Sequence, residues 1–206
     1  MFDVPVVEQA DFLGELGNPI DDFDRSFKQY KCQLFFEPKW KVLFLWILAA
    51  FSFPFVLVVL LLKGIRKPTM EPVEAAGVFR DVPEVIPEEL RKKYSIKEDC
   101  GFDNFSLRFS DLGFINRLLF RYLAYPFFVL KSVINVAKYS YLMDKYQPRC
   151  VIVHAEYAFS SSLLTSYCTS KGVKHINVMH GEKLFFIRDS FFHYDECYVW
   201  DNYYID

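Results

Sequence analysis

The sequence predicts an α/β fold, a Rossmann-like parallel sheet preceded by a membrane helix and amphipathic helices. Three observations carry that expectation. A short β-branched run at Cys150–Val153 is followed by a helical stretch and then by a second apolar run, so strand, helix and strand alternate. Residues 111–147 carry apolar side chains at helical spacing. Between Val42 and Leu62 the chain carries no charge at all.

The charge-free run reaches ~30 Å as a helix, about one hydrocarbon core. Lys39 and Lys41 precede it, Lys63, Arg66 and Lys67 follow it, and Trp40 and Trp46 suit an interface. A cleaved signal peptide fits poorly, because a long and mostly polar stretch comes first. Two geometries are open: a spanning helix, in which Ser52 helps satisfy the backbone group freed by Pro54, or a re-entrant hairpin broken at Ser52-Phe53-Pro54.

The elements then follow in order. Residues 1–38, with Asp21, Asp22 and Asp24, form an acidic N-terminal tail, and residues 39–67 form the membrane segment. Residues 68–110 form a linker rich in proline at 68, 72, 83 and 87. Its one short helix begins at Pro87, with acids in the first turn and bases in the last, the order a helix dipole favours. Residues 111–206 form a helical segment plus a Rossmann-like α/β half-domain. Pro126 separates two helices there. Arg117, Arg121, Lys131 and Lys138 make them either a basic surface for anionic lipid or a pair of core helices with solvated faces. The strand at Cys150–Val153 leads to a helix over 158–172, ended by Gly172. A strand in "VKHINVMHG" (173–181) and another over 196–200 complete the pattern, with Asp201 placed to cap a following helix.

The net charge of −2 excludes a global basic footprint for nucleic acid. Five cysteines at wide spacing, with no CxxC, exclude a disulfide framework or zinc ribbon and favour reduced thiols. With 23 Phe in the chain, an apolar surface meeting lipid or another chain is expected. Free thiols and the Lys63–Lys67 basic cluster put residues 68–206 on the cytoplasmic side of a cell membrane.

In an open parallel sheet, ligands bind beyond the carboxyl ends of the strands. His154 and Glu156 follow the first strand there, and His180, Gly181, Glu182 and Lys183 follow the second. His180 suits a general base, since an unperturbed imidazole titrates near ~6.5 and Gly181 leaves room for a substrate hydroxyl. Glu182 would orient it or hold a second hydroxyl. Ser160 and Ser161, at the start of a helix, could hold a phosphate or carboxylate, though small hydroxyl residues also simply cap helices. Lys183 and Arg188 form a basic lip, unless Arg188 pairs with Asp189. His175, at the opposite end of the sheet, is expected only to hydrogen-bond the loop backbone, without a part in the chemistry. A metal site from His180, His193 and Cys197 is weighed and set aside, because Cys197 lies in a strand and should point into the core. The chain has no GxGxxG, no Walker loop and no GxSxG, so no nucleotide cofactor or hydrolase triad is expected.

The runs "VIVHAEYAFSSSLLTSYC" and "HINVMHGEKLFFIRDSFFHYDECYVWDNYY" resemble the N-terminal Rossmann-like domain of GT-B-type glycosyltransferases of bacterial surface and capsular polysaccharides. They are more distantly similar to the CDP-glycerol glycerophosphotransferases, which carry a His-Gly after a strand in that domain. The resemblance is strongest over residues 150–206. It implies that His180 is the acceptor-activating base and that the chain is the membrane-attached, acceptor-side domain of a glycosyltransferase-like protein. Its partners would be membrane lipid and a glycan or lipid-linked acceptor. A nucleotide-sugar donor would need the second domain that such enzymes possess. An incomplete GT-B N-terminal domain, inactive by itself, is therefore the expectation. The alternatives are a non-catalytic membrane-anchored partner or scaffold in polysaccharide assembly, and a degenerate fragment.

Overall fold

The structure is a computed structural model that describes residues 4–78, 86–98, 100, 104–179 and 186–199. Helices α1 (Val6–Leu16), α2 (Asp22–Leu34) and α3 (Lys39–Ile65) come first. Then follow β1 (Ala75–Gly77), α4 (Glu88–Lys93), β2 (Ile96–Lys97), α5 (Leu112–Tyr122) and α6 (Pro126–Tyr146). Strand β3 (Cys150–Val153), α7 (Ser161–Ser170), β4 (Lys174–Val178) and β5 (Glu196–Tyr198) complete the order. Five parallel strands form one sheet in the order β2-β1-β3-β4-β5. The α/β parallel-sheet expectation is met.

Two strands come from the segment expected to be a linker. Ala75 pairs in register with both Cys150 and Ile96. They escaped sequence reasoning because they are short and because Ala-Ala-Gly has no β-branched residue to mark it. The central strands β1, β3 and β4 bury both faces, which alternation in the register makes visible. Ala76, Val151 and Val153 pack under α6 and α7, whereas Ala75, Cys150, Ile152, Ile176 and Val178 pack with Leu90 of α4.

The segment expected to be an acidic tail is also structured. The Asp21 carboxylate caps α2 by accepting the Asp24 N–H at 2.8 Å. Phe23, Phe27 and Tyr30 recur on one face of α2 and are buried against Phe114, Tyr122, Phe128 and Phe159. Aromatic residues at this spacing had a partner, and composition alone concealed it.

Helices α5 and α6 are core helices. Phe114, Ile115 and Leu118 of α5 are buried, as are Phe128, Val133, Val136 and Leu142 of α6. The basic residues of α5 are engaged within the fold. Arg117 lies 5.5 Å from the Phe23 ring centroid, and Arg121 pairs with Asp21. Gly172 takes a φ of +72° just past the end of α7, the left-handed position expected of it.

Helix α3 is the one described helix long and apolar enough to cross a membrane. It runs unbroken through Pro54, so a hairpin broken at Ser52-Phe53-Pro54 is not formed. The Ser52 hydroxyl sits 3.5 Å from the Ala49 carbonyl, one residue away from the Ala50 carbonyl that Pro54 leaves without a donor. Along its inner face α3 packs on α6. The Trp46 indole donates to the Ala124 carbonyl beside the start of α6. Residues 104–108 are wedged near the other end: the Leu107 N–H bonds the Leu60 carbonyl, and the Ser106 N–H bonds the Ala137 carbonyl. Arg108 then bridges the Gly64 carbonyl and Asp144. The two helices therefore run side by side in the same direction.

Candidate functional site

The strand order reverses between β1 and β3: from β1 the chain moves outward to β2, and from β3 it moves the other way to β4 and β5. Such a switch point opens a crevice at the carboxyl ends of the strands, where doubly wound sheets take ligands. Here those ends are Val78, His154 and Met179.

The loop after β3 is held rigidly from several sides. Asn177 on β4 accepts the Ala155 N–H at 3.1 Å. The Ala155 carbonyl accepts from the Tyr194 hydroxyl at 2.9 Å and from the Ser161 hydroxyl at 2.7 Å. Gln29 of α2 donates one amide nitrogen to the Glu156 carbonyl at 2.9 Å and to the Arg188 carbonyl at 2.8 Å. Gln33 donates to the Tyr157 carbonyl. Helix α2 thus ties the β3–α7 loop to the 3-10 turn at Ile187–Asp189.

That single amide holds the backbones of Glu156 and Arg188 next to each other. Glu156 is 1% exposed, and Arg188 is half-buried with its guanidinium 5.5 Å from the Phe186 ring centroid. Ser160 and Ser161 are turned inward. The Ser160 hydroxyl accepts from Asn135 of α6 at 2.9 Å, and Ser161 donates to the Ala155 and Ala158 carbonyls. Both are buried, so the Ser160 hydroxyl fastens the start of α7 to α6 and the Ser161 hydroxyl fastens it to the loop, and neither lines an open anion cradle. His180, Gly181, Glu182 and Lys183, which carry the expected base and lip, lie outside the described residues, as does Asp201.

His175 is a core histidine whose ring meets side-chain hydroxyls instead of loop backbone. It is 1% exposed and lies between the Tyr139 hydroxyl, 2.9 Å from Nε2, and the Thr165 hydroxyl, 2.8 Å from Nδ1. Burial pushes its pKa down to about 3. Cys197 differs from expectation: it is exposed on β5, at the edge of the described sheet, instead of pointing into the core. His193 is 2.8 Å from an Asp22 carboxylate oxygen, and among the described residues no group of three or more metal-ligating side chains forms.

Two features lay beyond sequence reasoning. Gln29 carries no motif, and its role follows only from where α2 docks. Asp111, at the amino end of the sheet, is fully buried. It accepts from the Ser140 hydroxyl at 2.7 Å, the Tyr167 hydroxyl at 3.0 Å, the Lys171 ammonium at 2.6 Å and, across a reverse turn, the Arg108 N–H at 2.8 Å. With every partner internal, this cluster is a structural junction. Comparison with protein-family models, with curated proteins and with solved structures finds no match to this chain.

Proposed function

We propose that this chain forms the membrane-attached, acceptor-side α/β domain of a glycosyltransferase-like protein of bacterial cell-surface polysaccharide synthesis, with its α/β part on the cytoplasmic side. One observation supports this proposal most: a parallel sheet whose order reverses at β1/β3 has the Glu156 loop and Met179, the residue that follows β4 and precedes His180 in the sequence, at the same carboxyl edge. The adjacent apolar helix α3 supplies attachment to a membrane. In this scheme His180 takes a proton from an acceptor hydroxyl, Glu182 orients the imidazole, and Lys183 and Arg188 face the phosphate of the donor or the lipid-linked acceptor.

A scaffold role is favoured by a different observation. Helix α2 bonds across the β3–α7 loop through Gln29 and Gln33, and the serines are committed internally, which narrows the edge at that point. One experiment separates the two. Membranes carrying the protein are given labelled nucleotide sugars or CDP-glycerol, and label in the lipid and glycan fractions is followed for the natural chain and for His180→Ala. Loss of about 10²-fold or more in turnover, with thermal stability intact, supports the base. Equal turnover in both removes it, and no transfer in either, alongside a retained partner on affinity capture, favours the scaffold.

A further inference from the structure

The side-by-side packing of α3 and α6 bears on how the membrane is met, given the membrane attachment proposed above. From Trp46, which bonds the Ala124 carbonyl, to Gly64, which bonds Arg108, α3 is fastened to the domain over ~27 Å at 1.5 Å per residue. That is nearly the whole thickness of a hydrocarbon core. A helix spanning the bilayer in this arrangement would take α6 and the sheet behind it into the lipid, together with Lys131, Asp144 and the buried Asp111 cluster. Charged groups strongly resist that transfer.

The other side of α3 is free of the domain. Phe44, Leu48, Phe51, Phe55, Val58 and Leu62 recur at alternating steps of four and three residues and are all exposed, Phe51 by 84% and Phe55 by 72%. This is one continuous apolar stripe down a helix whose opposite side is packed. Its ends are basic. Lys39 lies at the start, and Lys63, Arg66 and Lys67 at the finish, where they line with Tyr141 a cleft of about 290 Å³. None of the last three forms an ion pair among the described residues, and Lys63 lies 4.3 Å from the Phe105 ring centroid. Cations at both ends of an apolar stripe complement an anionic headgroup layer above an acyl layer.

We propose that α3 does not span: it lies in the plane of one leaflet, its outer stripe in the acyl region and both basic ends among anionic headgroups on the same side, with the α/β domain carried on its inner face.

The test uses the full chain in cells. Lys39→Cys and Lys67→Cys are made separately in a Cys197→Ser background, because the four other cysteines are buried. Right-side-out and inverted membrane vesicles are treated with a membrane-impermeant maleimide. The expected result is that both variants react in one vesicle type and neither reacts in the other. Reaction of the two variants in opposite vesicle types overturns the in-plane geometry while leaving membrane attachment standing. A chain that stays in the soluble fraction, or that pairs with a second copy through the stripe and ignores vesicles, overturns both. In a parallel measurement on purified protein, Lys67→Gln lowers binding to phosphatidylcholine vesicles containing phosphatidylglycerol about fivefold, and leaves binding to phosphatidylcholine alone unchanged. Phe51→Asp with Phe55→Asp releases the protein from both without changing its circular dichroism. Equal binding of Lys67→Gln and the natural chain to the anionic vesicles removes the headgroup contact.

Discussion

Replacing Gly64 by alanine sets two physical effects against each other. Alanine is the best helix former, and the change from glycine in a helix interior is worth up to ~1 kcal/mol in its favour. Gly64, however, is buried in the last turn of α3, where the backbone of Leu107 passes directly against it. An added Cβ would lie 2.7 Å from the Leu107 carbonyl carbon and nearer still to its oxygen. A backbone carbonyl cannot swing aside as a side chain can, so the last turn of α3 must lift off the 104–108 segment. Overpacking of this kind costs ~1–3 kcal/mol. The lift also weakens the Leu107 N–H to Leu60 bond and the Arg108 to Gly64 bond, the second of them charge-assisted and worth ~1.5–3 kcal/mol by itself. Subtracting the helix propensity leaves a net loss of ~2 kcal/mol, which for a chain of this size lowers Tm by roughly 4–8 °C. Thermal unfolding in a mild detergent, followed by circular dichroism, measures it, with protease sensitivity after Lys63 or Arg66 as the local readout. An unchanged or raised Tm would refute the close approach of α3 to Leu107, and with it the packing that holds α3 along the domain.

Three further perturbations test other parts of the structure. His175 is neutral in the fold down to about pH 3 but takes a proton near 6.5 when unfolded, so the unfolded state binds more protons between those values. Stability should therefore fall as pH drops from about 6.5 toward about 3, by up to ~1.4 kcal/mol per pH unit from this group, and be insensitive to it above. In His175→Gln that share of the slope should vanish in denaturant titrations at stepped pH, and an identical slope would discount the buried histidine. Asp111→Asn removes the charge from a buried carboxylate that accepts from Ser140, Tyr167 and the Lys171 ammonium and should lower stability by ~1.5–3 kcal/mol, read by the same titrations at neutral pH; a loss below ~0.5 kcal/mol would mean that the cluster does not hold α6 and α7 together. Burial raises the Cys32 thiol to about 12 and the Cys150 thiol to about 11, whereas Cys197 is exposed. Ellman's reagent should accordingly modify Cys197 first in the native protein and the four buried thiols only on unfolding, and early reaction of Cys168 would contradict its position under the sheet.

The parts of the fold legible in the sequence are those with a single strong local signal. The β-branched Cys150–Val153 run, the proline at the start of α6 and the glycine after α7 each act through their own backbone preferences, and each lies where expected. The missed parts depend on partners far along the chain. Ala75–Gly77 is a strand only because β3 offers a parallel edge. Phe23, Phe27 and Tyr30 form a helix face only because Phe114, Tyr122 and Phe128 receive them. Cys197 misled for the reverse reason: a strand position predicts burial only where another layer covers it. At the candidate site, Glu156 and Arg188 could be placed on one edge from strand ends alone. Their coupling through Gln29 could not, since it requires knowing that residues 22–34 return across more than a hundred positions.

The direction of α3 relative to the strands connects attachment to the candidate site. Helix α6 runs opposite to the strands: Asn135, in its first half, meets Ser160 beyond the carboxyl end of β3, while the Lys145 and Tyr146 carbonyls at its far end bond the chain entering β1. Helix α3 follows α6, so its tryptophan-bearing start lies toward the carboxyl edge of the sheet and its basic cleft toward the amino edge. At that start, Leu34, Val42, Leu43 and Trp46 line an apolar cleft of about 510 Å³ with Glu37 and Lys39 at its rim. With α3 flat on a leaflet, the strands lie along the membrane plane, and the edge bearing Glu156 opens sideways, beyond the layer formed by α6. A spanning α3 would instead set the strands upright and turn that edge toward or away from the bilayer. The flat arrangement leaves that edge open along the membrane surface, the direction from which the proposed tail-anchored acceptor would approach it. On the proposed reading, the mode of attachment thus sets the direction from which an acceptor approaches, and the cysteine-labelling result for Lys39 and Lys67 decides that mode.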